Sequence, residues 1–168
     1  MDSLVFNYYG TINSWTYTGS IPEFQSVYFK DNGTITNANT FNHIKFTQGK
    51  TYTFGNYTPT GQTSNPNTNQ IILPGGSFTA NGGGGCAGAI TMITNSSGTP
   101  VNIINNSGST INTYNVLQQD IHGSGSMPLI NNNGNNLGNC VGWNFNTPQT
   151  PYNLYWVGGQ GEWTDPNH

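Results

Sequence analysis

Half of the 168 residues are Asn, Gly, Thr or Ser, while only 9 are charged: 3 Lys, 6 Asp plus Glu, and no Arg. Strong helix formers number 26 against 41 β-branched residues, which removes the raw material for a helical bundle and leaves an all-β fold. Three scattered lysines at net charge −3 cannot build a phosphate-neutralising surface, so nucleic acid is excluded as a partner, and no run of 18 apolar residues offers membrane insertion.

Short β-type runs follow one another along the chain. They are Ser26–Phe29, Thr34–Thr36, His43–Phe46, Thr51–Phe54, Gln70–Leu73, Ser77–Thr79, Ala89–Thr94, Val101–Ile104, Thr110–Val116, Val141–Phe145 and Tyr155–Val157. Gly, Asn or Pro bounds each, with Asn32-Gly33, Asn81-Gly82 and Asn133-Gly134 as the sharpest turn signals. Apolar residues alternate within many runs, so every second side chain points inward and its outward neighbours are Thr, Asn or Lys.

Two architectures build many short strands from few apolar residues: a β-sandwich, and a right-handed parallel β-helix, or β-solenoid, with irregular flanking strands. The Asn, Gly, Thr and Ser excess favours the solenoid, where polar side chains at equivalent corners form ladders and Gly permits left-handed turns. No exact repeat counts the coils.

Few residues offer chemistry. The acids Asp2, Glu23, Asp31, Asp120, Glu162 and Asp165 are spread along the chain, and paired-carboxylate hydrolysis needs them clustered. Asp120 and His122 share a face on a predicted strand, but an Asp at a strand end more commonly satisfies backbone amides, and no third group completes a relay. His43, His122 and His168 lack zinc spacing, and Asn131, Asn132, Asn133, Asn135 and Asn136 offer neutral carbonyls better suited to a turn than to calcium. No metal or cofactor is expected. Gly82–Gly85 lacks the Lys and Ser or Thr of a phosphate loop and reads as a flexible corner. The Thr-x-Thr segments at Thr16, Thr34, Thr51 and Thr58 are unequally spaced, which predicts that they do not align as an ice-binding face. Cys86 and Cys140 allow one internal disulfide or two buried thiols. Tyr8, Tyr9, Trp15 and Tyr17 near the start, and Tyr152, Tyr155, Trp156 and Trp163 near the end, are the remaining resource for stacking on sugars, with core filling as their commoner role.

Tyr155–His168 resembles the YWVGGxGxWxDPxHW unit that recurs in very large surface adhesins of gliding Bacteroidetes. Just upstream, Leu137–Phe145 resembles the GNxxGWxF ending that precedes that unit. The resemblance implies a repeat segment of an exported filament delivered by type IX secretion, acting in adhesion or gliding without enzyme activity. Its partners would be a surface polysaccharide or other substratum and neighbouring repeats, and it would sit outside the cell, at the cell surface. On this basis residues 1–40 form an N-terminal cap or the end of a preceding repeat, 41–147 the solenoid repeat, and 148–168 a linker and the start of the next motif. Tyr155, Trp156 and Trp163 are the candidate ligand-binding residues. Met1-Asp2-Ser3 lacks the start of a signal peptide, so an exported protein would carry this segment internally.

Overall fold

The computed structural model describes residues 3–13, 21–58, 60, 67–84 and 86–146. Fifteen strands follow in chain order: β1 (Ser3–Phe6), β2 (Gly10–Asn13), β3 (Glu23–Phe29), β4 (Gly33–Thr36), β5 (Asn39–Phe46), β6 (Thr51–Gly55), β7 (Gln70–Ala80), β8 (Ile90–Thr94), β9 (Val101–Asn105), β10 (Ile111–Tyr114), β11 (Val116–Gln119), β12 (Ile121–Gly125), β13 (Leu129–Asn132), β14 (Asn135–Gly138) and β15 (Trp143–Asn146). The one helical element among the described residues is a 3-10 turn, Cys86–Gly88, and none is long and apolar enough to cross a membrane.

The fold is all-β with parallel sheets. One sheet runs β1-β3-β5-β7-β9-β12, a second β2-β4-β6-β8-β11-β14, and a third β10-β13-β15. Every strand pairing among the described residues is parallel, unlike the antiparallel sheets of the sandwich alternative. Chain neighbours fall in different sheets: β1 lies in the first and β2 in the second, β3 in the first and β4 in the second. β5 runs across the boundary drawn at Phe41, and β1 to β4 lie in the same two sheets as the later strands, so no break in either sheet marks off the first forty residues.

The period-two pattern places Val27 and Phe29 of β3, and Ile44 and Phe46 of β5, inward in register, Val27↔Ile44 and Phe29↔Phe46. Register stacks Phe6, Phe29 and Phe46 in one row, and Phe78, in register with Ile44, packs diagonally against its end. Phe6 lies on Phe29 with ring centroids 4.8 Å apart, Phe29 on Phe46 at 5.8 Å, and Phe46 against Phe78 at 5.2 Å; Trp143 closes the column 6.5 Å from Phe78. Ile12, Ile35 and Phe54 make a parallel row in the second sheet. Phenylalanine rings thus supply the bulk that a chain poor in aliphatics lacks, whereas Tyr8 and Tyr9, for which core filling is expected, are exposed, and Trp15, Tyr17, Tyr152, Tyr155, Trp156 and Trp163 lie outside the described residues.

Polar residues hold the corners. Asn37, Asn115, Asp120, Asn133 and Asn139 all have positive φ, between 49° and 60°, the region that Asn and Asp tolerate best among residues with a Cβ. The ladder continues through them: Gly82 N donates to Tyr114 O, Asn115 N to Asn132 O, and Asn133 N to Asn146 O, at 2.7 to 2.9 Å. Buried Asn39 and Gln70, paired side by side in register, join amide to amide at 2.8 Å, and Gln70 Nε2 also donates to Asn37 O at 2.6 Å.

The Leu137–Phe145 motif is read by this architecture as a corner. Gly138 and Asn139 turn the chain, and Trp143 is buried beneath Leu129. Gly142 (φ 80°) lies so close to β12 that a Cβ would sit on the Gly123 carbonyl oxygen. Gly142→Ala should therefore lower the unfolding free energy by roughly 2–4 kcal/mol, combining left-handed strain with a backbone clash. Urea denaturation measures it, and a variant as stable as the parent would contradict this packing.

Candidate functional site

The outer face of the first sheet gathers the cations. Because Val27, Phe29, Ile44 and Phe46 turn inward, Ser26, Tyr28, His43 and Lys45 turn outward. Register builds two rows: Ser3, Ser26, His43 and Ser77, and beside it Val5, Tyr28, Lys45 and Thr79. Lys45 Nζ lies 4.9 Å from the centroid of the Tyr28 ring, and Lys30 Nζ, one residue past β3, lies 5.9 Å from it. His43 Nδ1 is 3.0 Å from Ser77 Oγ. Lys50 donates to Asp31 Oδ1 at 2.8 Å. That ammonium, then the Asn32 N–H, holds the Asp31 carboxyl below the usual carboxylate range.

Lys30 and Lys45, fifteen residues apart in sequence, thus meet over Tyr28, while Lys50 pairs with Asp31, the residue after Lys30. Sequence distance concealed this, because Lys45 reaches Tyr28 only through the β3–β5 register. Among the described residues, Lys50 has a carboxylate partner, while exposed Lys30 and Lys45 have none. The signal available in the sequence was the outward phase of Tyr28 and Lys45 on their strands, together with Lys30-Asp31 at the strand end.

Asp120 has a different role. It is 2% exposed at a left-handed corner between β11 and β12, and both carboxylate oxygens are engaged. Oδ1 accepts from Asn139 Nδ2 at 2.8 Å; Oδ2 accepts from Gly98 N at 3.0 Å and Thr94 Oγ1 at 3.5 Å. The Asn139 bond first, and the Gly98 bond second, hold the carboxyl below its ordinary value despite burial. Asp120 therefore ties three successive layers and satisfies a backbone amide, as the strand-end reading expects. His122, half-buried, donates no hydrogen bond to it, and its Nε2 is shielded without a partner.

The remaining candidates resolve individually. Asn133-Gly134 is a turn, but Asn131 and Asn132 end β13 while Asn135 and Asn136 begin β14, so most of the Asn cluster is strand. Buried Asn131 donates to Val116 O at 2.8 Å. The glycine run is a pinned corner: Gly83 N donates to Gly88 O at 2.7 Å, and Asn115 Nδ2 to Gly83 O at 2.5 Å. Among the described residues no group of three His, Cys, Asp or Glu is placed to hold a metal.

One threonine column does align, contrary to the expectation from spacing. Thr11, Thr34 and Thr53 stack in register because the connections absorb the unequal spacing, but the adjacent column reads Asn13, Thr36, Gly55. Tyr155, Trp156 and Trp163, with the whole Tyr155–His168 motif, lie outside the described residues.

Cys140 carries a free thiol, half-buried, donating to Gly138 O at 3.5 Å, and burial pushes its pKa up. A free thiol at Cys140 accords with the second of the two alternatives for the cysteines. The backbone explains it: Cys86–Gly88 precedes the start of β8, whereas Cys140 sits beside Asp120, which bonds to Thr94 at the end of β8. Iodoacetamide should add two groups to the unreduced, unfolded chain, and Cys140 should react slowly in the native protein because the thiol is protonated near neutral pH. No uptake without reductant would restore the disulfide.

No family model matches the chain, and neither a curated protein nor a solved structure matches it.

Proposed function

We propose that this chain is a non-catalytic structural and adhesive module of an exported cell-surface filament, wound as a right-handed parallel β-solenoid. The observation that carries the reading is the parallel pairing that continues through both six-stranded sheets across one register shift in each, with Phe6, Phe29 and Phe46 stacked in a row and Phe78 packed against its end. Strands that alternate between sheets in chain order, each lying on its predecessor in parallel, are the pattern of successive coils, and the right-handed sense follows the general preference of parallel crossovers. Such a stack presents a long, hydrogen-bonded outer surface on which side chains stand in rows.

A non-catalytic role is favoured by Asp120, the acid best placed by sequence for chemistry, whose oxygens are spent on Asn139, Gly98 and Thr94. The resemblance of Leu137–Phe145 to surface-adhesin repeats supports the same role, and the corner it forms here gives that motif a structural reason. The test is attachment: beads coated with the chain should resist detachment by flow from polysaccharide films better than beads coated with an inert protein. Equal detachment would remove the adhesive part of the proposal.

A further inference from the structure

We propose that the outward face centred on Tyr28 is a binding site for the carboxylate groups of an acidic polysaccharide, a polyuronate. The inference rests on the adhesive reading and names its partner.

Charge is the first argument. The chain has net charge −3, yet two of its three lysines, Lys30 and Lys45, converge on one ring, and the third, Lys50, is the one paired with Asp31. Lys30 and Lys45 stand exposed within 6 Å of one ring centroid, without a carboxylate partner among the described residues. Glu23, at the start of β3 and five residues before Tyr28, accepts from Gln25 Nε2 at 3.0 Å and is paired in register with Thr40. An anion arriving at Tyr28 meets two point charges, each a strong donor to carboxylate.

Shape is the second. Tyr28 is half-buried with Lys45 and Lys30 over its ring, so the aromatic surface left for a sugar lies directly beside the ammonium groups. Around it Ser26, His43, Ser77 and Thr79 stand in rows at the strand spacing of about 4.8 Å, polar groups that can hydrogen-bond sugar hydroxyls. A ring with a carboxylate on its rim uses all three features at once. A neutral glucan leaves the ammonium groups unused, and a polyphosphate finds too few cations to release its counterions.

One site of this kind is weak, but copies repeated along a filament multiply it through effective concentration. The experiment is affinity electrophoresis of the full chain in gels containing polygalacturonate, neutral dextran, dextran sulfate or single-stranded DNA. Retardation by polygalacturonate alone, abolished in 1 M salt where screening acts within about 3 Å, supports the site. Lys30→Gln and Lys45→Gln should each weaken apparent binding up to about fivefold, Tyr28→Ala about tenfold, and Thr53→Val on the other sheet not at all.

These side chains face outward, so unchanged circular dichroism separates lost contacts from lost fold. No retardation by polygalacturonate overturns the proposal, as does equal retardation by DNA or dextran sulfate, which would mark a general polyanion patch. Bead attachment without polyuronate retardation overturns this inference while leaving adhesion standing.

Discussion

Phe46→Ala is expected to lower the free energy of unfolding by about 3–5 kcal/mol, the range for removing a buried aromatic ring from a packed interior. Phe46 is 2% exposed and touches four rings: Phe29 at 5.8 Å, Tyr52 at 4.6 Å, Phe54 at 6.3 Å and Phe78 at 5.2 Å. Stacked and edge-on pairs add about 0.5–1.5 kcal/mol each beyond burial, so several favourable contacts vanish together. Relaxation cannot close the gap, because backbone hydrogen bonds fix the layers above and below. Domains of this size are commonly stable by only about 5–15 kcal/mol, which makes this loss large. Urea denaturation followed by the fluorescence of Trp143, buried at the end of the column, gives the number. Phe24→Ala, at a half-buried ring stacked on Phe41 alone among the described residues, should cost clearly less. A Phe46→Ala loss below about 1 kcal/mol would mean that the column is not what holds the sheets together.

Asp120→Asn should destabilise the chain by about 1–3 kcal/mol at pH 7, and the deficit should fade as the solution is acidified. The folded state holds the Asp120 carboxyl below its ordinary value, chiefly through Asn139 and then Gly98. A carboxyl with a depressed folded-state pKa contributes stability that is fully present above its unfolded value, near 4, and is lost as pH falls through the folded value. Below that, parent and variant both carry a neutral group. Asn tolerates the φ of 58° at this corner, so backbone strain does not enter the comparison. What changes is charge and one acceptor: the Asn amide nitrogen would face a donor from Asn139, Gly98 or Thr94. Melting temperatures of both proteins between pH 7 and pH 2.5 test this. Parallel profiles throughout would assign the acid sensitivity elsewhere, and Asp31, paired with Lys50 on the surface, is too exposed to replace Asp120.

How much of this was legible in the sequence depended on whether side chains or register carried the information. β3, β5, β6, β8 and β9 contain alternating apolar residues, and their inward phase could be read directly from Val27, Phe29, Ile44 and Phe46. β13 and β14 could not, because Asn-Asn-Asn-Gly-Asn-Asn carries turn chemistry. They are strands because the neighbouring layers, Asn112 and Thr113 on one side and Leu117 and Gln118 on the other, offer backbone partners regardless of side chain. In β7 the reverse happened: Pro74-Gly75-Gly76 reads as a break between two strands, whereas the chain keeps its course with an irregularity opposite Phe41 and His43. The run from Thr110 to Val116 was one segment by composition and is two strands, divided by the left-handed Asn115.

For the candidate site, residue types were visible and proximity was not. Lys45 and Tyr28 belong to different layers, and no local pattern announces that they are neighbours. Asp120 was legible as an anchor for backbone amides, while its bond to Asn139 depends on stacking of the last two layers at that corner.

The connections between stacked partners differ widely in length: the chain makes a long excursion between Phe54 and Thr94 and a short one between Leu129 and Trp143. Each still advances the stack by a single interstrand step of about 4.8 Å, so six strands climb only about 24 Å. Residues inserted between layers widen the girth and leave the height untouched. A filament assembled this way would set its reach by the number of turns wound, with the loops left free to be rewritten for whatever surface lies beside them.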